Sequence, residues 1–228
     1  MIMESYYPLH AEAAWPTNQW YIAGFGSDIS DGIIARTFLG KRVVLFRDAR
    51  GDVKALGGIC PHRMMPMELG SLADDRLICA YHGLEFDLTG KCVAAPTVTT
   101  PPDCALARYP IVEAGPLLWI WLGEAELAAD TPIPDQKLIG IGAEGWLTSC
   151  VQRLDLNARA QLLIDNLFDL SHLGFVHASI VGSGGIALVE PSIEEREGRL
   201  VVGRTYADAP TDDYHRFLYP HIGDRMPL

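Results

Sequence analysis

Residues 60–83 read CPHRMMPMELGSLADDRLICAYHG, which sets Cys60-Pro61-His62 and Cys79-Ala80-Tyr81-His82 on either side of a sixteen-residue spacer. Two cysteines and two histidines in two short loops make a donor set for metal. Moving outward, Val43-Val44-Leu45-Phe46, residues 53–56 and Leu117-Leu118-Trp119-Ile120-Trp121-Leu122 are short apolar runs. They are separated by Gly51-Asp52, Gly57-Gly58, Thr89-Gly90 and Gly115-Pro116. Short runs punctuated by turn residues are strands, so residues 20–122 read as an all-β domain. Trp119 and Trp121 lie in a strand and are expected in its core. Met64, Met65 and Met67 are expected to pack around the metal group and keep water from it.

Zinc in four-coordinate geometry can use such ligands. The narrow C-x-H bite between strands fits better two thiolates on one iron and two imidazoles on another, a Rieske 2Fe-2S centre. Imidazole is neutral where thiolate is anionic, so such a cluster has a potential of about −150 to +300 mV, against about −400 mV for a plant-type all-cysteine one. Its expected task is one-electron relay.

The chain has 228 residues, 49% hydrophobic and 21% charged, which excludes disordered, collagen-like and coiled-coil classes. Eighteen Lys and Arg against 29 Asp and Glu give a net charge of −11, the wrong sign for a protein that tracks nucleic acid. Residues 1–10 lack a basic region followed by an apolar run, and no apolar stretch approaches the ~18 residues that span a bilayer. No membrane association and a cytoplasmic location are expected. Cysteines number five, an odd count, so free thiols or ligands are expected rather than a disulfide framework. Cys92, Cys104 and Cys150 have no histidine at ligand spacing and read as small buried hydrophobes.

The proline-bearing stretch 128–134 reads as a connector, dividing the chain into a metal-cluster domain at 1–135 and a second domain at 136–228. The second domain is expected to hold a strand at 146–156 and a helix at 158–170 with Leu162, Leu163, Leu167 and Leu170 at helical spacing. A break at Gly174, a glycine-rich loop at 182–185 and a strand at 199–206 follow, with no convincing element over 215–228. Few strands and one helix cover only part of a hydrophobic face, so this domain reads as unfinished. The fold class is α+β: an N-terminal all-β domain, then an incomplete antiparallel-sheet-plus-helix domain.

Residues 164–179, IDNLFDLSHLGFVHAS, carry the second constellation. Helical spacing puts Asn166, Asp169 and His172 on one stripe. His177 is five residues from His172 and about 140° away around a helix, so both imidazoles reach one metal only if the helix ends or bends between them. A carboxylate three residues before His172 is placed to accept its ring N–H.

C-x-H with C-x-x-H, followed by N-x-x-D-x-x-H and a further histidine, resembles the oxygenase component of Rieske non-haem iron oxygenases, nearest the vanillate O-demethylase and dicamba monooxygenase branch. The resemblance runs from about residue 20 to the end. It implies that Cys60 and Cys79 hold one cluster iron, His62 and His82 the other, and His172 and His177 a mononuclear Fe(II). It implies a head-to-tail homotrimer in which Asp169 links His172 to His82 of a neighbouring subunit, with Asn166 positioning that bridge or closing the metal pocket. It implies O2 and a small aromatic substrate, with a ferredoxin or reductase as electron donor, in a hydroxylation or O-demethylation. The open iron site of the family also takes an acidic ligand from farther downstream; Asp208, Asp212, Asp213 and Asp224 lie in no context that matches it. A fragment of a longer oxygenase is therefore expected. An electron-transfer-only Rieske protein and an inactive oxygenase remnant are the alternatives.

Residues 36–76 hold eight Lys or Arg and five acids, +3 locally. Either this is an ordinary solvated strand surface or it is a docking face for an acidic electron donor.

Overall fold

The computed structural model describes residues 16–30, 32–148, 154–180, 184–196, 198–205 and 208–226. Ten strands build the N-terminal part: β1 (Gln19–Phe25), β2 (Ile34–Phe38), β3 (Lys41–Arg47), β4 (Val53–Gly57), β5 (Ser71–Ala73), β6 (Arg76–Ile78), β7 (Glu85–Phe86), β8 (Cys92–Ala94), β9 (Ile111–Ala114) and β10 (Leu117–Leu122). They form three antiparallel sheets, ordered β1-β10-β9, β2-β3-β4 and β5-β6-β7-β8.

Strand β3 explains how these sheets hold together. Val43, Val44, Leu45 and Phe46 are all essentially inaccessible, because both faces of the strand are covered. Period-two geometry sends Val44 and Phe46 to one core, shared with Leu56, Cys60, Met67, Leu77, Cys79, Leu84 and Phe86. Val43 and Leu45 enter a second core with Ala23, Ile29, Ala55, Leu118, Ile120 and Leu122. Each such side chain contributes about 1.5–3 kcal/mol on burial, an upper estimate. Cys60 and Cys79 are thus anchored in the first of these cores. All of β10 is buried, including Trp119 and Trp121 as expected; Trp20 packs edge-on against Trp121 with ring centroids 5.4 Å apart.

The chain divides into two compact units, Met1–Gln152 and Arg153–Leu228. The second unit contains α1 (Ala160–Phe168), α2 (Leu173–Val176), β11 (Ser192–Arg196), β12 (Arg199–Gly203), β13 (Ala209–Pro210), α3 (Asp213–Leu218) and β14 (Arg225–Met226). β11 and β12 form an antiparallel hairpin, and β13 pairs with β14. The architecture is mostly sheet with few helices: an all-β part followed by a partial sheet-and-helix part.

Three expectations need correction here. The described residues of 146–156, namely 146–148 and 154–156, carry no strand, and residues 149–153 lie outside the described residues. Gly174 breaks nothing, for it lies inside α2. The tail is not featureless: Asp212 caps α3 by accepting a hydrogen bond from the His215 N–H at 2.9 Å, and β14 follows. The unfinished character of this unit is visible in α1, where Leu162, Leu163, Ile164, Leu167 and Phe168 all stay 44% to 62% exposed. Among the described residues no helix is long and apolar enough to cross a membrane.

Candidate metal centres

The two ligand loops are one turn built twice. The Cys60 N–H donates to Met65 O at 2.8 Å and the Met64 N–H returns to Cys60 O at 3.0 Å. In the second loop the Cys79 N–H donates to Leu84 O at 2.9 Å and the Gly83 N–H returns to Cys79 O at 3.0 Å. The fourth residue after each cysteine is left-handed, Met64 at φ 55° and Gly83 at φ 69°. The histidine sits at different places on this shared turn, second after the cysteine in one loop and third in the other.

This geometry sorts the donors into pairs. Cys60 and Cys79 are 1% and 2% exposed and their thiols interact. Burial is the main influence raising the Cys60 thiol above its ordinary pKa; the backbone N–H groups of His62 and Arg63 act on it in the opposite sense. Those two N–H groups would stabilise a thiolate. The imidazoles lie on the outer side, His62 exposed and His82 half-buried, with ring centroids 4.6 Å apart. Tyr81 lays its ring over His82 at 3.9 Å. A buried thiol pair beside a surface imidazole pair fits a cluster with sulfur ligands on one iron and nitrogen ligands on the other. Met67 is fully buried in the core that holds both cysteines and Met65 is partly buried against that core, whereas Met64 stands 71% exposed on a left-handed backbone.

Asn166, Asp169 and His172 do not form a helical stripe. Helix α1 ends at Phe168, and Asp169 leaves it at φ −98°, ψ 91° to cap the single 3-10 turn Leu170–His172. Its carboxylate accepts from the Ser171 N–H at 2.9 Å. His172 Nδ1 meets the backbone carbonyl of Asp169, not the carboxylate, at 2.6 Å. Donation to that carbonyl leaves Nε2 with its lone pair free for a metal. α2 closes with the His177 N–H donating to Leu173 O at 3.2 Å, and the chain leaves the helix at His177. The two rings then lie 5.5 Å apart at 70°. The segment between them is the single helical turn of α2, which ends at His177. Asn166 remains on α1 and exposed.

The Asp169 carboxylate is 64% exposed and 4.0 Å from the Arg204 guanidinium. Its pKa lies below the usual carboxylate value, chiefly because of its hydrogen bonding to Ser171, with Arg204 and His172 adding smaller effects. Arg204 was not singled out from sequence; a basic residue 35 positions away gave no local signal. The tail acids have local partners: Asp208 binds Arg225 at 2.6 Å, Asp224 binds Arg216 at 2.9 Å, and Asp212 holds His215 Nδ1 at 2.7 Å.

The basic stretch is largely neutralised. Arg36 pairs with Asp28, Arg42 with Glu68, Arg47 with Glu113, Lys54 with Asp48 and Arg76 with Glu85. This favours the ordinary strand surface over a docking face. Cys92 is buried and Cys104 half-buried against the same core; Cys150 lies outside the described residues.

Residues 19–110 match the Rieske [2Fe-2S] domain family, and residues 156–226 match the vanillate O-demethylase oxygenase C-terminal domain family. The chain is 37% identical over 203 residues to a putative toluene-4-sulfonate monooxygenase system iron-sulfur subunit of Comamonas testosteroni, covering 87% of this chain and 58% of that protein. It is 34% identical to the dicamba O-demethylase oxygenase component of Stenotrophomonas maltophilia, covering 80% of this chain and 54% of the relative. The structure of dicamba monooxygenase bound to dicamba superposes with a TM-score of 0.76 at 32% identity, covering 91% of this chain and 62% of that one. The chain therefore spans little more than half the length of the relatives it matches.

Proposed function

Because the chain belongs to the family of Rieske oxygenase components that includes the vanillate and dicamba O-demethylases, we propose that it acts in a multicomponent monooxygenase. The reaction takes electrons from a ferredoxin or reductase and uses O2 to hydroxylate or O-demethylate a small aromatic substrate. The observation that carries this reading is the presence in one chain of two separately folded donor sets: Cys60, Cys79, His62 and His82 in the first unit, His172 and His177 in the second. An electron carrier has no use for the second set.

When bound, the 2Fe-2S cluster supplies one-electron transfer and a mononuclear Fe(II) supplies the site of O2 reduction. Cys60 and Cys79 would hold the inner iron, with the N–H groups of His62 and Arg63 directed at the Cys60 sulfur. His62 and His82 would hold the outer one. Met67 and Leu77, both fully buried, exclude water behind the cysteines. The Asp169 carbonyl accepts from His172 Nδ1 and so leaves Nε2 unprotonated, and His172 and His177 would supply the two imidazoles to the mononuclear iron. The Asp169 carboxylate remains exposed, which suits a hydrogen bond across a subunit boundary to His82 of a neighbour in a homotrimer. Asn166, one turn earlier, would line the same boundary.

The test is metal analysis of the protein with His172→Ala and His177→Ala together. Loss of the mononuclear iron with the visible spectrum of the cluster retained is the expected result; unchanged iron content would reduce the chain to a carrier. Formaldehyde release across a panel of methoxyaromatics then identifies the substrate class.

A further inference from the structure

Behind the cluster loops lies a second pair of thiols. Residues 90–92, which lead into β8, run antiparallel to residues 104–106, with Lys91 opposite Ala105 and the Cys92 N–H donating to Cys104 O at 3.0 Å. Leu106 donates to Gly90 O at 2.8 Å, so Cys92 and Cys104 face each other in register. Directly opposed residues share one side of the ladder, and both side chains pack against the core that holds Cys60 and Cys79. The Cys92 N–H bond to Cys104 O is one of the two that a hydrogen-bonded antiparallel pair exchanges, the Cys104 N–H turning instead to Pro102 O at 2.9 Å; in such a pair the Cα atoms are ~5.5 Å apart. That lies within the ~4.4–6.8 Å that a disulfide spans. The two thiols already interact, and the Cys92 S–H points at Ala94 O, 3.6 Å away.

Access differs between the two. Cys92 is 3% exposed. Cys104 is half-buried and lines a cavity of about 440 Å³ whose other walls include Pro61, His62, Leu84, Val98 and Pro102. Attack on an oxidant begins at Cys104, because it lines the cavity whereas Cys92 is buried behind it.

We propose that Cys92 and Cys104 are a redox pair that closes to a disulfide when a hydroperoxide reaches the cavity beside His62. Cys104 sulfur attacks the peroxide O–O bond, giving a sulfenic acid and one water from hydrogen peroxide. The Cys92 sulfur then displaces the hydroxyl as a second water, forming the S–S bond. Two electrons pass from the two sulfurs to the peroxide, and a small dithiol or a thioredoxin-class protein returns them. Closure ties the end of the 95–104 segment to β8 and fixes the cavity wall that faces His62.

Both cysteines fall in one tryptic peptide, residues 92–108, between Lys91 and Arg108. The purified, cluster-loaded protein is titrated with hydrogen peroxide, and this peptide is weighed with and without dithiothreitol. Loss of two hydrogens, reversed by the reductant while the visible spectrum of the cluster persists, is expected. In Cys92→Ser, Cys104 should be trapped by dimedone as the sulfenic acid; in Cys104→Ser the peptide should not react. Oxidation of Cys104 to the sulfinic acid without a link, a link to Cys60 or Cys79, or bleaching of the cluster before the peptide changes would each overturn the proposal. The measurement on the unsubstituted protein decides even if a variant fails to fold.

Discussion

His172 Nδ1 rests 2.6 Å from the backbone carbonyl of Asp169, while the carboxylate of the same residue faces solvent and Arg204. One residue thus performs two separable tasks, holding the His172 ring through its main chain and presenting a charge through its side chain. Substitution acts on only the second.

Asp169→Asn keeps the carbonyl and a side chain that still caps the Leu170–His172 turn. Iron at His172 and His177 should be retained, while substrate turnover falls by about 10-fold to 100-fold, the usual cost of losing a hydrogen-bonding carboxylate next to a metal ligand. Loss of iron in this variant would place the ligand-orienting role on the carboxylate instead.

The two left-handed loop positions should respond unequally to substitution. An added Cβ at Gly83 comes within 2.9 Å of the Pro96 ring at a backbone φ of 69°. Gly83→Ala should cost about 1–2 kcal/mol and loosen the cluster, read as a lower midpoint for thermal bleaching. Met64→Gly relieves a strained exposed residue at φ 55° and should leave stability within about 1 kcal/mol of the parent.

Met67→Ala removes a fully buried side chain from behind Cys60 and Cys79. The expected loss is about 2–5 kcal/mol in a denaturant titration, accompanied by faster bleaching in air. Met64→Ala, at an exposed position, should stay within about 0.5 kcal/mol. Equal effects from the two would mean that Met67 is not packed as described.

Arg47 ties β3 to β9 through Glu113 at 2.8 Å and to the carbonyls of Gly26, Ile29 and Gly51. The hydrogen bond from Arg47 holds the Glu113 carboxyl below its ordinary pKa. A depressed carboxyl pKa stabilises the fold above its unfolded value and loses that contribution as pH falls through the folded one. The half-exposed pair contributes at most about 1 kcal/mol after solvent screening. Thermal midpoints measured from neutral pH down to about pH 3 should therefore decline less steeply in Glu113→Gln than in the parent.

Much of the site was legible without coordinates because its information is local. C-x-H and C-x-x-H place donors on turns closed by hydrogen bonds only four and five residues long, and chain geometry alone nearly fixes such turns. The strand runs at 43–46 and 117–122 were equally plain, since each is apolar throughout. Helix α1 emerged from leucine spacing, but its end did not: Asp169 is as compatible with another helical turn as with a cap, and its side-chain bond to the Ser171 N–H selects the cap.

The linear order of residues determined the two donor sets, the all-β character of the first unit and the helix that precedes His172. Tertiary structure alone decided which side of β3 meets the cysteines, that Arg42 spends its charge on Glu68, that Arg204 reaches Asp169, and that Cys92 and Cys104 stand opposite one another. The physical reason is distance along the chain. A turn is stabilised by its own few residues, whereas a pairing across tens of residues exists only once packing of the whole unit has offset the entropy of bringing its ends together.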